Sequence, residues 1–288
     1  MKISNSEGSQ VMRDCPIGCP TVPVETGVYL AIGRLLQCPE CGHQINNVSA
    51  SEYEASLQKW NTANGTLPDP RDAQRYRQVI SRRLATAKRI LGRAGPFSLL
   101  DVGCSSGALL RIASDLAFDV AGVEPATDAC NTARASGFKV FNGYLKEASY
   151  PAASFDVITL FELIEHITDP LALLEECSRI LKPNGVIILN TPNAASLTAW
   201  FMKSRWEGFD LVRMGGHISF FTPGSMALLG ERTGLQVTRM ETRNVRFYEK
   251  GQCSPATYRV GRLLSQLLAY PVKLAGRGHD LLAYMTKA

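Results

Sequence analysis

The 288-residue sequence contains no apolar run that approaches the roughly 18 residues of a membrane-spanning helix. Its first ten residues, MKISNSEGSQ, include no apolar stretch long enough for a secretory signal. We therefore expect a cytoplasmic protein. The sequence also has no internal repeat and no low-complexity tract, so repeat architectures are not expected.

Most of the chain also has no excess of charge of either sign. The formal net charge is +5, yet residues 1–245 contain 24 basic and 24 acidic residues. The excess lies between Arg246 and the C-terminus, where seven Lys or Arg residues stand against Glu249 and Asp280. This distribution argues against a nucleic-acid binder with a uniformly basic surface and indicates a local basic patch instead.

Disulfides are not expected, although the chain has eight cysteines. Four cluster near the N-terminus and four are scattered through apolar or helical segments, a pattern that indicates a metal site in a reducing compartment. Cys38 and Cys41 are separated by two residues, and Cys15 and Cys19 by three, both within the usual ligand spacing. We predict that residues 1–50 form a zinc-ribbon-like module in which these four cysteines hold a structural Zn²⁺.

The following sequence alternates apolar runs with amphipathic stretches, which predicts an α/β protein with a parallel sheet covered on both faces. Residues 51–70 are polar and end in Leu-Pro-Asp-Pro, which predicts a linker. The main domain is expected at 71–250, with a strand over 235–241 closing the sheet, and residues 251–288 are expected to be an amphipathic helical segment. The other predicted strands are 98–102, 119–123, 139–142, 156–161 and 185–191, and the predicted helices are 72–93, 108–116, 126–135, 170–181 and 223–233.

A glycine-containing turn joins the first of these strands to its helix. The segment LLDVGCSSG, Leu99–Gly107, ends a strand in Asp101 and opens a helix at Ala108. Glycine permits the tight turn and a close backbone approach to a ligand, and the free N–H groups of the helix N-terminus suit an anion. Glu124 ends the next strand 23 residues after Asp101, where an acid is placed to bind ribose hydroxyls. No G-K-[ST] follows the turn, which excludes a P-loop.

At these residues the sequence resembles the class I S-adenosylmethionine-dependent methyltransferases, from about Tyr76 to Glu241. The resemblance implies a Rossmann-like, doubly wound sheet of seven mostly parallel strands and S-adenosylmethionine as cofactor. Ser105 stands where the family pattern has glycine, and a positive φ there would cost about 1 kcal/mol. The cofactor-binding residues that the resemblance implies are Asp101, Gly103, Cys104, Ser105, Gly107, Glu124, Pro125, Gly143, Tyr144 and Phe161.

Further motifs narrow the resemblance. An E-x-x-E-H-x-x-D-P run, 162–170, a Thr-Pro-Asn segment, 191–193, and an H-x-x-x-F run, 217–221, are similar to those of ubiquinone-biosynthesis O-methyltransferases. They are also similar to those of bacterial zinc-ribbon-bearing glycan and natural-product methyltransferases. The resemblance implies O-methylation of a saccharide, lipid-linked or natural-product small molecule. The [DNS]-P-P-[YF] motif and the Pro-Cys nucleophile of nucleic-acid base methylation are both missing from the sequence.

Methyl transfer to a hydroxyl needs a group that takes its proton, and a histidine of near-neutral pKa suits that role. His217 and His166 fall in segments that the resemblance places beside the acceptor pocket, and we predict that His217 is the better candidate base. A purely structural role for His217 stays open. Similar residues in ubiquinone-pathway enzymes hold a divalent metal, so Glu162, Glu165 and His166 are a second candidate metal site, with helix capping as the alternative.

The C-terminal segment has apolar residues at helical spacing from Val260 to Leu268, beside Arg259 and Arg262. Such a stripe packs on its own domain, on a second copy in a homodimer, or peripherally on the anionic inner face of a membrane, which would suit a lipid-linked acceptor. Two functional alternatives stay open. The ribbon and the basic helix over 71–93 suggest an RNA methyltransferase, although nucleic acid is not the expected partner. Ser105 suggests a degenerate, non-catalytic scaffold.

Overall fold

The computed structural model of the chain describes residues 10–12, 14–62, 70–248 and 253–287. In chain order its strands are β1 (Val24–Tyr29), β2 (Arg34–Gln37), β3 (Gln44–Asn47), β4 (Phe97–Val102), β5 (Phe118–Glu124), β6 (Lys139–Asn142), β7 (Phe155–Phe161), β8 (Leu181–Pro192), β9 (Ser219–Phe220), β10 (Leu235–Arg243) and β11 (Asp280–Lys287). Its helices are α1 (Ala50–Thr62), α2 (Pro70–Leu91), α3 (Ala108–Asp115), α4 (Thr127–Ala135), α5 (Pro170–Ile180), α6 (Leu197–Met202), α7 (Pro223–Arg232) and α8 (Pro255–Leu274).

Seven strands form the central sheet, in the order β10-β11-β8-β7-β4-β5-β6. Strands β8, β7, β4, β5 and β6 are mutually parallel, and β11 runs antiparallel to both of its neighbours, β8 and β10. The central strands are mostly apolar and buried because helices cover both faces of the sheet. One core cluster contains Ile80 of α2 and Leu110 of α3, and the other contains Leu174 of α5 and Leu229 of α7. The predicted α/β class is confirmed.

The end of the chain differs from the sequence prediction. In the segment 251–288, which is expected to be helical, the helix α8 ends at Leu274 and β11 follows it. This strand inserts between β8 and β10, so β10 does not pair directly with the parallel strands as a closing strand would. Residues 281–285 are all almost fully buried. A short apolar run of this kind fits a buried strand and a buried helix equally well by periodicity, and here pairing on both edges decides for the strand.

The expected linker over 51–70 also differs from the structure. Its first part is the helix α1, which begins with a capping box: the Ser49 side chain accepts from the Glu52 backbone N–H, and the Glu52 carboxylate accepts from the Ser49 backbone N–H at 2.9 Å. A polar composition predicts a linker, but a helix with few buried positions, here Tyr53 and Ser56 among residues 50–57, is polar as well. Residues 63–69 of that prediction lie outside the described residues.

The N-terminal strands are joined to the rest of the protein by backbone pairing. Strands β1, β2 and β3 form an antiparallel sheet whose fourth strand is β9. Gln44 and Ile45 of β3 pair with Phe220 and Ser219 of β9. The N-terminal region and the segment after His217 are therefore parts of one sheet. Of the helices in the described ranges, none combines the length and the apolar character needed to cross a membrane.

Candidate active site

The carboxyl ends of the parallel strands carry the predicted site residues. Asp101 is the last residue but one of β4, and Glu124 is the last residue of β5. Phe161 is the last residue of β7 and pairs in register with Asn190 of β8. Parallel strands bring their carboxyl ends to one edge of a sheet, where α/β proteins bind their ligands. The structure thus brings these residues to a common edge, and contact of each with a cofactor stays a prediction.

The turn after β4 has the backbone conformation that its glycines permit. Gly103 and Gly107 have φ of +76° and +83°. The Gly103 N–H donates to the Val123 carbonyl at 2.8 Å, which ties the turn to β5. A Cβ at Gly103 would lie 3.2 Å from Leu163, and one at Gly107 would lie 3.1 Å from Phe138. Both glycines are therefore required by conformation and by close packing.

Ser105 adopts the left-handed conformation in which a glycine would be unstrained. Its φ is +47°, so the serine pays the cost expected for that region, about 1 kcal/mol. The Ser105 N–H donates to the Glu124 carboxylate at 2.8 Å, which holds the turn in this shape. The neighbouring Cys104 is buried, and its sulfur fills the space beside Gly122, where a Cβ would approach it to 2.5 Å. Cys104 is thus a packing residue of the turn.

The Glu124 carboxylate is held in place from two sides. It accepts hydrogen bonds from the N–H groups of Ser105 and Ala126, both at 2.8 Å. Asn142, at the end of β6, donates through its side chain to the carbonyls of Glu124 and Pro125 at 3.0 and 3.1 Å. Sequence reasoning did not single out Asn142. It fixes the distance between the ends of β5 and β6, beside further predicted cofactor-binding residues.

Three of these predicted cofactor-binding residues, Pro125, Gly143 and Tyr144, belong to the same edge of the sheet. Pro125 is exposed, and Tyr144 is exposed over most of its side chain. Gly143 has a φ of +152°, and a Cβ there would lie 2.6 Å from a Glu147 carboxylate oxygen. That carboxylate also accepts from the Tyr144 N–H at 2.8 Å. The loop is therefore built around a glycine that no larger residue can replace without displacing Glu147.

Asp101 is a buried carboxyl with an unusual pKa. It is 4% exposed and accepts a hydrogen bond from the Thr159 hydroxyl at 2.6 Å. Burial raises its pKa from 3.8 to about 7, and the negative charge of Glu124 adds to the rise, against the lowering effect of the Thr159 hydrogen bond. Because the pKa is higher in the folded state, the contribution of Asp101 to stability is complete below about pH 4 and is lost as the pH rises through 7.

We expect Asp101→Asn to remove this pH dependence, since an amide keeps an acceptor for Thr159 and bears no charge. Without cofactor, the variant should be more stable than the wild type at pH 8 by about 2 kcal/mol and should lose that advantage near pH 5. Thermal unfolding at both pH values measures the difference. The control is Asp119→Asn, the same change at an exposed position. Equal pH dependence in the Asp101→Asn variant and the wild type would contradict the assigned pKa.

A second cluster joins Glu165, His166 and His217. One ligand atom from each lies within 4.8 Å of the others. His217 Nε2 is 3.7 Å from Glu165 Oε1, and the two imidazole rings have centroids 4.6 Å apart. Glu165 Oε1 is buried and has no hydrogen-bond partner among the described residues. A buried carboxylate oxygen without a partner is costly, which marks this point as a position for a ligand.

The orientation of both imidazoles follows from backbone contacts. His217 Nδ1 lies 3.1 Å from the Gly208 carbonyl and His166 Nδ1 lies 2.9 Å from the Gly215 carbonyl, so each ring donates through Nδ1. The Nε2 atoms are then the lone-pair atoms, as in histidines that bind metals. Burial lowers the pKa of His217 to about 3 and that of His166 to about 4, so both rings are neutral at neutral pH.

Residues from distant parts of the chain support this cluster. Thr191 donates its hydroxyl to Glu165 Oε2 at 2.9 Å, and the Ile218 N–H donates to the Glu165 carbonyl at 3.0 Å. The Tyr53 hydroxyl of α1 donates to the His166 carbonyl at 2.5 Å. His43, beside β3, approaches the Ser219 hydroxyl at 3.0 Å through Nε2. The N-terminal region thus contacts the segments that carry both histidines.

Glu162, which belongs to the expected Glu162, Glu165 and His166 metal site, is not one of the three residues whose ligand atoms lie within 4.8 Å of one another. Its carboxyl group is nevertheless close enough to that of Glu165 to add to the effect of burial, which raises the pKa of Glu165 well above its usual range. The backbone of Glu162 has a φ of +49°, and its carboxylate accepts a hydrogen bond from the Asn190 side chain. Arg83 of α2 donates to Asn190 at 2.7 Å and stacks on Phe161, with 4.7 Å between its guanidinium carbon and the ring centroid. Sequence reasoning missed Arg83, because only the fold brings α2 over this strand edge.

The four N-terminal cysteines form a third cluster. Their sulfurs all lie within 4.8 Å of one another, and the sulfurs of Cys15 and Cys41 are 3.6 Å apart. Sulfurs around a tetrahedral zinc ion lie about 3.8 Å apart, given a Zn–S bond of about 2.3 Å. The N–H groups of Gly18 and Gly42 donate to the carbonyls of Cys15 and Cys38, at 2.8 and 2.9 Å. Each hydrogen bond closes a tight backbone turn at one of the two cysteine pairs. The donor set and its spacing fit zinc.

A sheet of this order, with a glycine turn after β4 and an acid at the end of β5, defines the class I S-adenosylmethionine-dependent methyltransferases. Residues 71–240 match the family model described as a methyltransferase domain, and the chain belongs to this family. Residues 71–240 are therefore a methyltransferase domain of this family. This confirms the class that the sequence motifs predict.

Relatives of known name agree with this assignment. A Mycolicibacterium smegmatis protein named as an S-adenosylmethionine-dependent methyltransferase is 36% identical over 121 residues, which cover 41% of this chain and 45% of that protein. The ubiquinone biosynthesis O-methyltransferase of Haemophilus ducreyi is 26% identical over 52% of this chain and 66% of its own length. The corresponding enzyme of Thiobacillus denitrificans is 26% identical over 68% of this chain and 87% of its own length. The chain thus spans about half to two thirds of the length of the first two relatives.

Solved structures share the fold at low sequence identity. A SAM-dependent methyltransferase from Archaeoglobus fulgidus matches with a TM-score of 0.52 and 19% identity, covering 73% of this chain and 94% of that one. A protein from Galdieria sulphuraria, described as a sarcosine dimethylglycine methyltransferase, matches with a TM-score of 0.53 and 19% identity, covering 83% and 98%. These similarities establish the fold.

Proposed function

We propose that the protein transfers the methyl group of S-adenosylmethionine to a hydroxyl oxygen of a small-molecule acceptor, a saccharide, a lipid-linked compound or a natural product. The observation that carries this proposal is the Glu165, His166 and His217 cluster. Glu165 and His166 follow closely on the end of β7. Leu163, between β7 and Glu165, lies against Gly103 of the turn after β4. The cluster is therefore adjacent to the place where the methyl donor is expected.

Methyl transfer is a direct displacement, so the enzyme aligns the acceptor oxygen with the methyl group and the departing sulfur. A hydroxyl acceptor must also lose its proton. We infer that Glu165 Oε1 and the Nε2 atoms of His166 and His217 hold a divalent cation, which would lower the pKa of a bound hydroxyl. Two imidazoles and one carboxylate favour a cation such as Mn²⁺, Co²⁺, Fe²⁺ or Zn²⁺ over Mg²⁺, which prefers oxygen ligands.

The role of His217 changes under this proposal. Sequence reasoning predicts it as the base, whereas burial gives the free imidazole a pKa of about 3, at which it is a weak base near neutral pH. Its neutral ring, with Nδ1 bonded to the Gly208 carbonyl, suits a metal ligand better. The names of the ubiquinone biosynthesis O-methyltransferase relatives support an oxygen acceptor.

Zinc at the four cysteines is part of the same proposal, in a structural role. Cys15, Cys19 and Cys38 are each less than 10% exposed, and they belong to the core cluster that contains Leu174 of α5 and Leu229 of α7. A closed four-thiolate site without an open position is typical of structural rather than catalytic zinc.

The basic helix that suggested an RNA substrate is largely engaged within the protein. Arg77 pairs with Asp115 at 2.7 Å, Arg93 pairs with Asp156, and Lys88 donates to the Leu116 carbonyl at 2.8 Å. A surface that recruits RNA through phosphates needs cations free to bind them. These contacts favour the small-molecule acceptor.

The acceptor class is tested by supplying S-adenosylmethionine with a panel of phenols, sugars and amines of similar size and measuring release of the demethylated cofactor. We expect turnover with hydroxyl acceptors only, and stimulation by Mn²⁺ or Co²⁺ after mild chelation, with little effect of Mg²⁺. Turnover confined to amines would contradict the proposal. Full activity that no added cation changes, in protein shown by mass spectrometry to hold no metal outside the cysteine site, would contradict the metal-assisted part.

A further inference from the structure

The segment between β10 and β11 begins and ends at the edge of the sheet that carries the candidate active site. Arg243 at the end of β10 pairs with Asp280 at the start of β11, and Asp280 pairs with Pro192 at the end of β8. The parallel strands β7 and β8 end at this same edge. The helix α8, which this segment contains, is therefore inserted on the side of the protein where the cofactor loop and the histidine cluster lie.

One side of α8 packs on the domain. Tyr258, Gly261, Ser265, Leu268 and Val272 are its buried or partly buried residues, and their spacing of three and four places them on a single face. At Gly261 the helix meets Tyr248, where a Cβ would lie 2.9 Å from the ring. Leu268, which the sequence stripe included, belongs to this inward face.

The neighbouring sector of α8 is apolar and exposed. At 100° per residue its members cover an arc of about 120°, adjacent to the packed face. Leu267 is 74% exposed and Leu263 is 60% exposed. The other exposed apolar residues of the sector are Val260, Leu264, Tyr270 and Leu274. An isolated apolar residue at the surface is ordinary, but a contiguous apolar face of this kind marks an interaction surface.

This sector continues across a cleft to the short helix α6. The cleft has a volume of about 420 Å³, and its lining includes Phe201 of α6, Phe247 and Val260. Phe201 meets the Phe247 ring edge-on at 5.3 Å between centroids. Trp200 beside it is 65% exposed. Aromatic side chains of this type are favoured at the boundary between water and lipid.

The charge of α8 favours an anionic lipid surface over a second copy of the chain as its partner. The helix has no acidic residue, and Arg259, Arg262 and Lys273 lie on the exposed arc beside the apolar sector. In a two-fold dimer the same surface would face itself and would bring no acidic group from α8 to these cations. An anionic lipid surface supplies both the apolar layer and the negative charge that this helix lacks.

We propose that α8, together with Trp200 and Phe201, docks the protein on the surface of an anionic phospholipid bilayer. The apolar sector enters the headgroup boundary, and the three cations contact lipid phosphates. Because α8 is inserted at the catalytic edge, a docked molecule presents that edge toward the lipid. The further consequence, that the methyl acceptor is carried on a lipid, rests on the proposed function.

Co-sedimentation of the full-length protein with vesicles tests the docking. We expect binding to phosphatidylcholine vesicles that contain phosphatidylglycerol, weaker binding to pure phosphatidylcholine, and a decrease with salt. Leu263→Ser/Leu267→Ser should weaken binding by about tenfold or more, since both leucines are exposed and their loss leaves the fold intact. Arg259→Gln/Arg262→Gln should weaken it by about 25-fold, at roughly fivefold per cation.

The matched control is Val22→Ser/Val24→Ser, which removes two exposed apolar residues from the N-terminal region and should leave binding unchanged. Absence of binding to anionic vesicles at low salt would overturn the proposal, as would equal binding by the Leu263→Ser/Leu267→Ser variant. A dimer in sedimentation velocity that the leucine variant dissociates, without vesicle binding, would instead assign the surface to a second copy. Binding is measured without cofactor or acceptor, so its failure is distinct from a failure of the proposed methyl transfer.

Discussion

Replacing Glu165 by Gln is expected to lower methyl transfer to a hydroxyl acceptor by about 100-fold or more, with the affinity for S-adenosylmethionine unchanged. Gln keeps the shape of the side chain and an oxygen that accepts from Thr191, but it cannot ionise to balance a cation held beside the two histidines. A neutral amide binds a divalent cation far more weakly than a carboxylate does. The measured quantities are turnover with a hydroxyl acceptor and the cofactor dissociation constant from calorimetry.

The second variant of the cluster separates a metal ligand from a base. His217→Ala should cause a similar loss, and the metal content should fall by one equivalent in both variants, because each removes a ligand of the same ion. Glu175→Gln, an identical change at an exposed position of α5, is the control for both. Unchanged turnover in Glu165→Gln would contradict the role of the cluster. A loss of activity accompanied by weaker cofactor binding or lower thermal stability would indicate a purely structural role.

Removal of one zinc ligand is expected to have the largest effect on stability. We expect Cys38→Ser to lower the thermal midpoint by about 10 °C or more and to reduce zinc by one equivalent per chain. Cys38 is 1% exposed and lies in a core shared with α5 and α7, so loss of the ion leaves thiols and a serine hydroxyl buried without partners. Structural zinc contributes about 10–16 kcal/mol of apparent binding energy in small domains, and a few kcal/mol of it would account for the shift.

Cys253→Ser is the control for this measurement, since Cys253 is partly exposed and lies outside the cluster. Metal analysis of Cys38→Ser, Cys253→Ser and Glu165→Gln separates the two metal sites. Cys38→Ser should lose the ion of the cysteine site, and Glu165→Gln should lose the ion of the histidine cluster. Wild-type protein with far less than one zinc per chain, or a Cys38→Ser variant as stable as the wild type, would contradict the structural zinc site.

The central sheet could be predicted because its strands and helices repeat a simple pattern. Buried strands such as β7 and β8 contain short apolar runs, such as residues 186–189 of β8. The intervening helices have caps at expected positions, such as Asp169 before α5, whose side chain accepts from the Ala172 N–H. The carboxyl-edge positions of Asp101 and Glu124 follow directly from such strands. The α1 helix and the β11 strand were missed for the opposite reason: local composition did not decide between two structures, and tertiary contacts did.

The composition of the histidine cluster depends on backbone geometry that the sequence does not display. Glu165 is three positions after Glu162, and His166 is four positions after it, so helical spacing would place the three residues together. The positive φ of Glu162 turns it toward Asn190 instead. The third member of the cluster is His217, which lies 51 residues after His166 in the sequence. Only folding brings the two histidines together.

The pairing of β3 with β9 has a consequence for the order in which the protein folds. Gln44 and Phe220 are register partners although 176 residues separate them, so a very long loop must close before this pair forms. Contacts of such separation form late, after the locally connected strand–helix units. On the ribosome, β3 can pair with β2 early, but it meets β9 only after the segment that carries His217 has been synthesised. The central sheet is completed later still, because β11 inserts between β8 and β10, so neither sheet reaches its final form until the C-terminal part of the chain has emerged.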